Sequence, residues 1–435
     1  MAPNPPRRKA AQRVGALVRE LLGTELPVGV TAWDGSTAGP ADGPRVVLRR
    51  RRALRHLLWK PGELGVARAF VSGDLDVTGD LTEALRRCWA CARDSHLGSS
   101  RLDSRGWARL AVGAVGLGAV GPRPRPPAGE AQLSGVLHSK RRDRSVIAHH
   151  YDTGNEFYSL LLDPRMTYSC GYYTNEDQPL ARAQEAKLDR ICRKLGLTEG
   201  TRLLDVGCGW GSLILYAAQR YGVRATGVTL SRSQAEHIRH RVEQLGLRDR
   251  VEVRMQDYRD VNAPEFDAVA SVEMGEHVGS DNYPTYAAAL HRLLRPGGRL
   301  LLQQMSRPGT APGGGAFIES YIAPDMAMVP IGRTVGLLED AGLEIRDVEA
   351  MREHYVPTVR AWAATLERRW DEVVAMIGAE QARIWRVYLA GGALAFEQNR
   401  MGVNQVLAVR ADEEGNSGMA LASRETLLNT ATEEV

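Results

Sequence analysis

Cysteine is scarce in this chain: five residues in 435, with no repeated spacing, so neither a disulfide framework nor a paired zinc-ligand pattern is present. Long apolar runs are also missing. The nearest candidate, Leu110 to Pro122, is thirteen uncharged residues and rich in glycine, short of the ~18 a spanning helix needs. The first ten residues, MAPNPPRRKA, hold no apolar segment of the kind that directs secretion. These shortages predict a cytoplasmic protein that touches a membrane without crossing it.

Apolar residues make up 43% of the chain, which excludes a wholly disordered or fibrous protein, and the length suggests two or three domains. The net charge of +4 hides an asymmetry. Residues 1–150 carry 25 Arg and Lys against 13 Asp and Glu, a balance of +12, which leaves −8 for residues 151–435. A basic front on an acidic body points to an anionic surface, either lipid headgroups or nucleic acid. No recognition helix or nucleic-acid motif accompanies it, so no nucleic-acid partner is expected.

Along the chain, Arg13 to Leu22 and Thr82 to Ser95 read as helices, and RVVLRRRR (45–52) as a strand entering a basic turn. GPRPRPPAG (121–129) breaks the helical pattern and marks a boundary. From Thr201 the pattern changes. Strands over 202–206, 224–230, 251–256 and 266–272 and in RPGGRLLLQQM alternate with helices over 212–221 and 233–245. That alternation predicts an α/β domain with a mostly parallel sheet covered on both faces.

The segment LLDVGCGWG sets Gly207, Gly209 and Gly211 between the first of these strands and its helix. The spacing is G-x-G-x-G, not the G-x-G-x-x-G of a dinucleotide fold. Its glycines permit a tight turn and a close approach of backbone to ligand at the carboxyl end of a sheet. No lysine lies near the loop in the chain to mark a triphosphate site. Asp205 beside the glycines suits S-adenosylmethionine (SAM), a nucleoside joined to an amino acid through a sulfonium. No carboxylate ends the second strand, GVTLSRSQ, for the ribose hydroxyls.

Several blocks together resemble the cyclopropane-fatty-acid synthases: HYDTGNEFYSLLLDPRMTYSCGYY (150–173), LLDVGCGWGSL (203–213), GVTLSRSQ (227–234), QDYRD (256–260) and SVEMGEHVG (271–279). The front resembles that family's N-terminal domain more weakly, through GELGVARAFVSGDLDVTGDL (62–81). The resemblance implies a class I SAM-dependent methyltransferase domain of Rossmann-like α/β fold behind a smaller mixed N-terminal domain. It also implies methyl transfer to a cis double bond in an unsaturated phospholipid acyl chain held in an apolar tunnel. Tyr168 and Ser169 are then expected to contact SAM, Gly207 and Gly209 to line it, and Thr229, Leu230 and Gln234 to meet the nucleoside. Asp257 and Tyr258 are expected to flank the adenine.

Methylating an alkene leaves a carbocation, which the aromatic faces of Tyr355, Tyr168 or Tyr321 would stabilise and a base must deprotonate. In the family that base is a bicarbonate, held by residues matching Cys170, Glu276 and Tyr355 plus a histidine. This chain has Gln303 at the histidine position, and Glu273 where many relatives carry glycine. Gln303 is therefore expected to donate to bicarbonate, while Glu273 either rebalances the site or supplies the carboxylate itself. Gly392 stands where many relatives have a cysteine, so no covalent mechanism depends on that position. Deprotonating the new methyl gives a cyclopropane; losing the neighbouring proton gives a methylene branch, with a separate reductase as a further partner. A homodimer at the inner membrane face is the expected assembly.

The plainer readings differ in each case. Cys88 and Cys91 suit a helix core better than a metal site, and no metal is expected. His149, His150 and His277 are candidate bases with structural alternatives, and Tyr151, Asp152 and Asn155 are expected to order a lid. Alternative functions are methylation of a small polar acceptor and non-catalytic binding of lipid or SAM. The expected division is a disordered start (1–12), a lipid-contact domain (13–121), a linker (122–139), the methyltransferase domain (140–410) and an acidic tail (411–435).

Overall fold

The computed structural model describes residues 9–94, 104–131, 135, 137–140, 142–143, 154–262, 265–309 and 315–419. His149, His150, Tyr151, Asp152, the first eight residues and most of the acidic tail lie outside the described residues. The chain forms two units: Met1–Ala131 with Gly314–Ile322 and Arg369–Leu394, and Gln132–Gly313 with Ala323–Arg368 and Ala395–Val435.

The first unit is built on four short strands, β1 (Gly29–Thr31), β2 (Thr37–Ala38), β3 (Arg45–Leu48) and β4 (Leu75–Thr78), in the order β2-β1-β3-β4. Helices α1 (Ala10–Leu22), α2 (Arg52–Trp59), α3 (Glu63–Val71), α4 (Leu81–Asp94) and α5 (Ser104–Gly116) accompany them. Two segments that a linear division assigns to the later domain belong here, for identifiable reasons. Ala131 N–H donates to Ser320 O at 2.7 Å, Arg383 donates to Asp76 at 2.8 Å, and Ala390 joins the core of Val30, Phe70 and Leu75.

The run expected to be a basic turn starts α2 and is largely ion-paired. Arg52 grips buried Asp74 through two bonds of 2.5 and 3.0 Å, and Arg49 reaches Asp76 at 2.6 Å. Satisfying two buried carboxylates is a structural task. Only Arg51 of the four lacks an ion pair among the described residues.

In the second unit, α6 (Asn155–Leu161) and α7 (Leu180–Lys194) precede the alternating region: β5 (Arg202–Val206), α8 (Ser212–Tyr221), β6 (Arg224–Thr229), α9 (Arg232–Gln244), β7 (Val251–Met255), β8 (Phe266–Val272), α10 (Tyr283–Leu293) and β9 (Leu294–Ser306). Helix α11 (Gly315–Tyr321) and most of α14 (Trp370–Glu397) belong to the first unit; α12 (Ile331–Asp340), β10 (Glu344–Ala350), α13 (Arg352–Arg368) and β11 (Gly402–Val409) complete the second.

The sheet has seven strands in the order β10-β11-β9-β8-β5-β6-β7, and β11 runs antiparallel to both its neighbours. Strand order reverses at β5, which pairs with β6 on one side and β8 on the other. Such a reversal opens a crevice at the carboxyl ends of the strands, where α/β sheets bind ligands. Two apolar layers cover the sheet, one centred on Ile214, Ile238 and Leu188, the other on Tyr286, Leu290 and Leu338.

Candidate active site

The crevice beyond β5 is a cavity lined by Tyr168, Ser169, Asp205, Gly207, Gly209, Thr229, Leu230, Gln234, Asp257 and Tyr258. All ten residues assigned to SAM thus line one cavity. The strand-to-helix loop makes this possible. Gly207 has φ +81°, and a Cβ there would lie 2.6 Å from the Met274 side chain.

The polar groups in this cavity are partly unmet. Among the described residues, Asp205 Oδ1 and Gln234 Nε2 are buried without a hydrogen-bond partner. Burial lifts the Asp205 carboxyl to about 7, against the pull of the Lys187 charge. An acceptor and a donor left open in one cavity, beside open space at Gly209, fit the ammonium and nucleoside ends of SAM. Thr229 Oγ1 donates to Gln234 Oε1 at 2.7 Å and fixes that amide, and Ser231 caps α9 beside it. Asp257 is less free than expected. Its carboxylate accepts from Arg259 Nε at 2.8 Å and Nη2 at 2.6 Å, so adenine would meet a committed group.

A second cluster lies at the end of β8. Glu273 lines the cavity and its carboxylate accepts three hydrogen bonds: from Cys170 N–H at 2.9 Å, Gln303 Nε2 at 2.8 Å and the Tyr355 hydroxyl at 2.5 Å. Burial raises the Glu273 pKa, and these donors oppose the rise. Register explains the gathering. Gln303 of β9 sits beside Val272, the last residue of β8, and opposite Gln405 of β11. Gln405 Nε2 donates to Gln303 Oε1 at 3.0 Å, which turns the Gln303 amide nitrogen toward Glu273.

Glu276, assigned to the same anion-holding group, bonds elsewhere: its Oε1 accepts from Met305 N–H at 2.5 Å. Burial, with the Glu273 charge second, pushes Glu276 up to about 8. The Cys170 thiol is buried with its pKa raised and donates to Gly171 O at 3.3 Å; the backbone N–H is the group that bonds Glu273. Tyr321 belongs to the first unit, where its hydroxyl donates to Glu130 at 3.1 Å. Tyr168 packs against Tyr158 and Trp362, and Tyr355 stacks on Phe396 with centroids 4.3 Å apart. Asn155 accepts from Trp210 Nε1 at 2.8 Å and donates to Ser233 O, tying α6 to the cavity wall.

Cys88 is lifted to about 11, mainly by burial, and no group of three or more His, Cys, Asp or Glu is placed to hold a metal among the described residues. No helix among the described residues is long and apolar enough to cross a membrane. Sequence reading missed three polar residues: Lys187 and Gln184 on α7, and Gln405. Each is buried in a stretch whose charge or amides read as a solvated face.

The family model for mycolic acid cyclopropane synthetase matches residues 138–406. The chain belongs to this family. It is 40% identical over 406 residues to a Mycobacterium tuberculosis protein named "Probable fatty acid methyltransferase Rv3720", covering 91% of this chain and 94% of that one. It is 38% identical over 279 residues to the cyclopropane-fatty-acyl-phospholipid synthase of Escherichia coli, covering 64% and 71%. The mycolic acid cyclopropane synthase CmaA1, solved with S-adenosylhomocysteine and CTAB, superposes with a TM-score of 0.58 at 30% identity, over 61% of this chain and 97% of that one. This synthetase-family member is a SAM-dependent methyltransferase of lipid acyl chains, with a class I methyltransferase domain.

Proposed function

We propose that the enzyme methylates the cis double bond of an unsaturated phospholipid acyl chain, and that the Glu273 carboxylate, in place of a bound bicarbonate, removes the proton that follows. The observation that carries this reading is the set of donors on Glu273. Cys170 N–H, the residue at the histidine position and the Tyr355 hydroxyl were all expected around a small carboxylate-like anion, and all three bond Glu273. A tethered carboxylate with those bonds leaves them unavailable to bicarbonate.

SAM supplies an electrophilic methyl group. In the proposed step the alkene π pair would take that methyl as the carbon–sulfur pair left with the thioether, so that a cation would form on the adjacent chain carbon. The Tyr168 ring on the cavity wall can stabilise that cation by roughly 0.5–2 kcal/mol when desolvated. Glu273 then accepts a proton: from the new methyl, closing a cyclopropane, or from the neighbouring carbon, leaving a methylene branch for a separate reductase. Mass and NMR analysis of lipids from oleate-fed cells expressing this chain tests the reading. One added carbon at the former double bond supports it; unaltered lipids together with methylation of a polar acceptor contradict it.

The first unit supports binding at an anionic lipid surface. Val112 and Val115, one turn apart on α5, are 72% and 62% exposed, and Trp59 and Val120 are exposed nearby. Arg13 donates to Gly116 O at 3.0 Å, Arg55 to Gly118 O at 3.2 Å and Trp59 Nε1 to Gly121 O at 3.0 Å, so cations and apolar side chains gather at one helix end. Neither arginine has an ion pair among the described residues. Exposed apolar groups ringed by unpaired arginines suit peripheral contact with anionic headgroups.

A further inference from the structure

The glycine loop has no lysine near it in the chain, yet a lysine reaches the cavity from α7. Lys187 is 1% exposed and lines the same cavity as Asp205 and Ser169. Its ammonium donates to Ser169 Oγ at 2.8 Å and has no ion pair among the described residues. A buried ammonium normally requires an anion. Of the nearby carboxylates, Asp163 accepts from Thr167 and Arg165 N–H at 2.7 and 3.1 Å, Glu273 holds its three donors, and Asp205, with Oδ1 open, makes no ion pair with Lys187, although its charge opposes the lowering of the lysine's pKa by burial.

Ser169 is similarly incomplete. Its hydroxyl accepts from Lys187, and its carbonyl accepts from Gln184 Nε2 at 2.8 Å. The hydroxyl proton has no recipient among the described residues, and Ser169 lines the cavity. The loop offers little to an anion here. Gly207 and Cys208 N–H both donate to Val228 O at 3.0 Å, and Gly211 N–H to Cys208 O at 2.8 Å. The amino-acid end of the cofactor is a zwitterion, and Asp205 offers only an acceptor for its ammonium.

We propose that Lys187 and Ser169 form the carboxylate-recognition pair of the cofactor site, Lys187 supplying the charge and Ser169 passing a hydrogen bond on to the ligand. Gln184, one turn before Lys187, holds the Ser169 backbone in place. The pair makes the site select the intact amino-acid end over a ligand that lacks its carboxylate.

This rests on the SAM reading, and calorimetric titration separates the two. Wild type, Lys187→Met and Ser169→Ala are each titrated with S-adenosylhomocysteine and with its decarboxylated analogue. Wild type should prefer the carboxylate-bearing ligand by about tenfold or more, the scale of a charge-assisted hydrogen bond. Both variants should cut that preference below about threefold while binding the decarboxylated ligand nearly as wild type does. Ser169→Ala buries no new charge and keeps the test valid if Lys187→Met fails to fold. Equal loss of affinity for both ligands, or an unchanged preference, overturns the proposal. Failure of wild type to bind either ligand overturns the cofactor reading instead.

Discussion

Glu273 occupies a backbone conformation with φ 52°, where a side chain costs roughly 1–2 kcal/mol and glycine is at ease. A glutamate kept in that conformation, with three donors on its carboxylate, is strain held at the position proposed for the base. Glu273→Gly should therefore leave the melting temperature equal or higher while turnover collapses. Tyr355→Phe removes one donor to the ionised form and so raises the Glu273 pKa. The acid limb of kcat/KM against pH should move to higher pH, with turnover recovered on the alkaline side. Asp205 gives a second pH signature. Its carboxyl is lifted from 3.8 to about 7, so the folded state holds a proton across that window that the unfolded state has lost. Stability falls as pH rises through the window, and the full cost remains above it. Asp205→Asn should raise the melting temperature of ligand-free protein at about pH 8, and do so much less near about pH 5.

The strand–helix alternation from β5 to β9 was legible because its apolar runs are bounded by glycines, and the structure reproduces the order within a residue or two. Strands β10 and β11 were not. β10 reads EIRDVEA, with alternate residues exposed, and the polar pair Asn404–Gln405 interrupts β11. Those polar residues are buried because β11 pairs on both edges and Gln405 faces Gln303. The same limit hid Lys187: in LARAQEAKLDRICRK a charged residue at mid-helix reads as solvated, and only tertiary packing buries it. The glycine loop was legible as a motif, and its geometry makes a prediction at this scale. Gly207→Ala would set a Cβ 2.6 Å from Met274 at φ +81°, whereas Gly209→Ala at φ +52° meets nothing within 4 Å. Thermal melts should show a loss of several degrees for the first and a clearly smaller one for the second.

Over the whole molecule, the charge divides into a +12 front and a −8 body. Part of the front's charge is internal, since Arg49 and Arg52 serve Asp76 and Asp74; for the proposed lipid contact, Arg13, Arg51 and Arg55 are among the cations with no ion pair among the described residues. Pelleting with anionic liposomes should weaken as salt rises, and Arg13→Ala/Arg55→Ala should weaken it further at low salt while S-adenosylhomocysteine binding is unchanged. The body holds the cofactor cavity and, on the proposed mechanism, a base in Glu273 that needs no added anion. Turnover on oleoyl-phospholipid liposomes in rigorously bicarbonate-free buffer, by wild type and by Glu273→Gln, measures that claim most directly. Wild type should run at full rate and gain nothing from added bicarbonate, while Glu273→Gln should fall by about 10²-fold or more, the scale of a lost general base. A wild type stimulated by bicarbonate, together with a Glu273→Gln variant that keeps its turnover, would contradict the account.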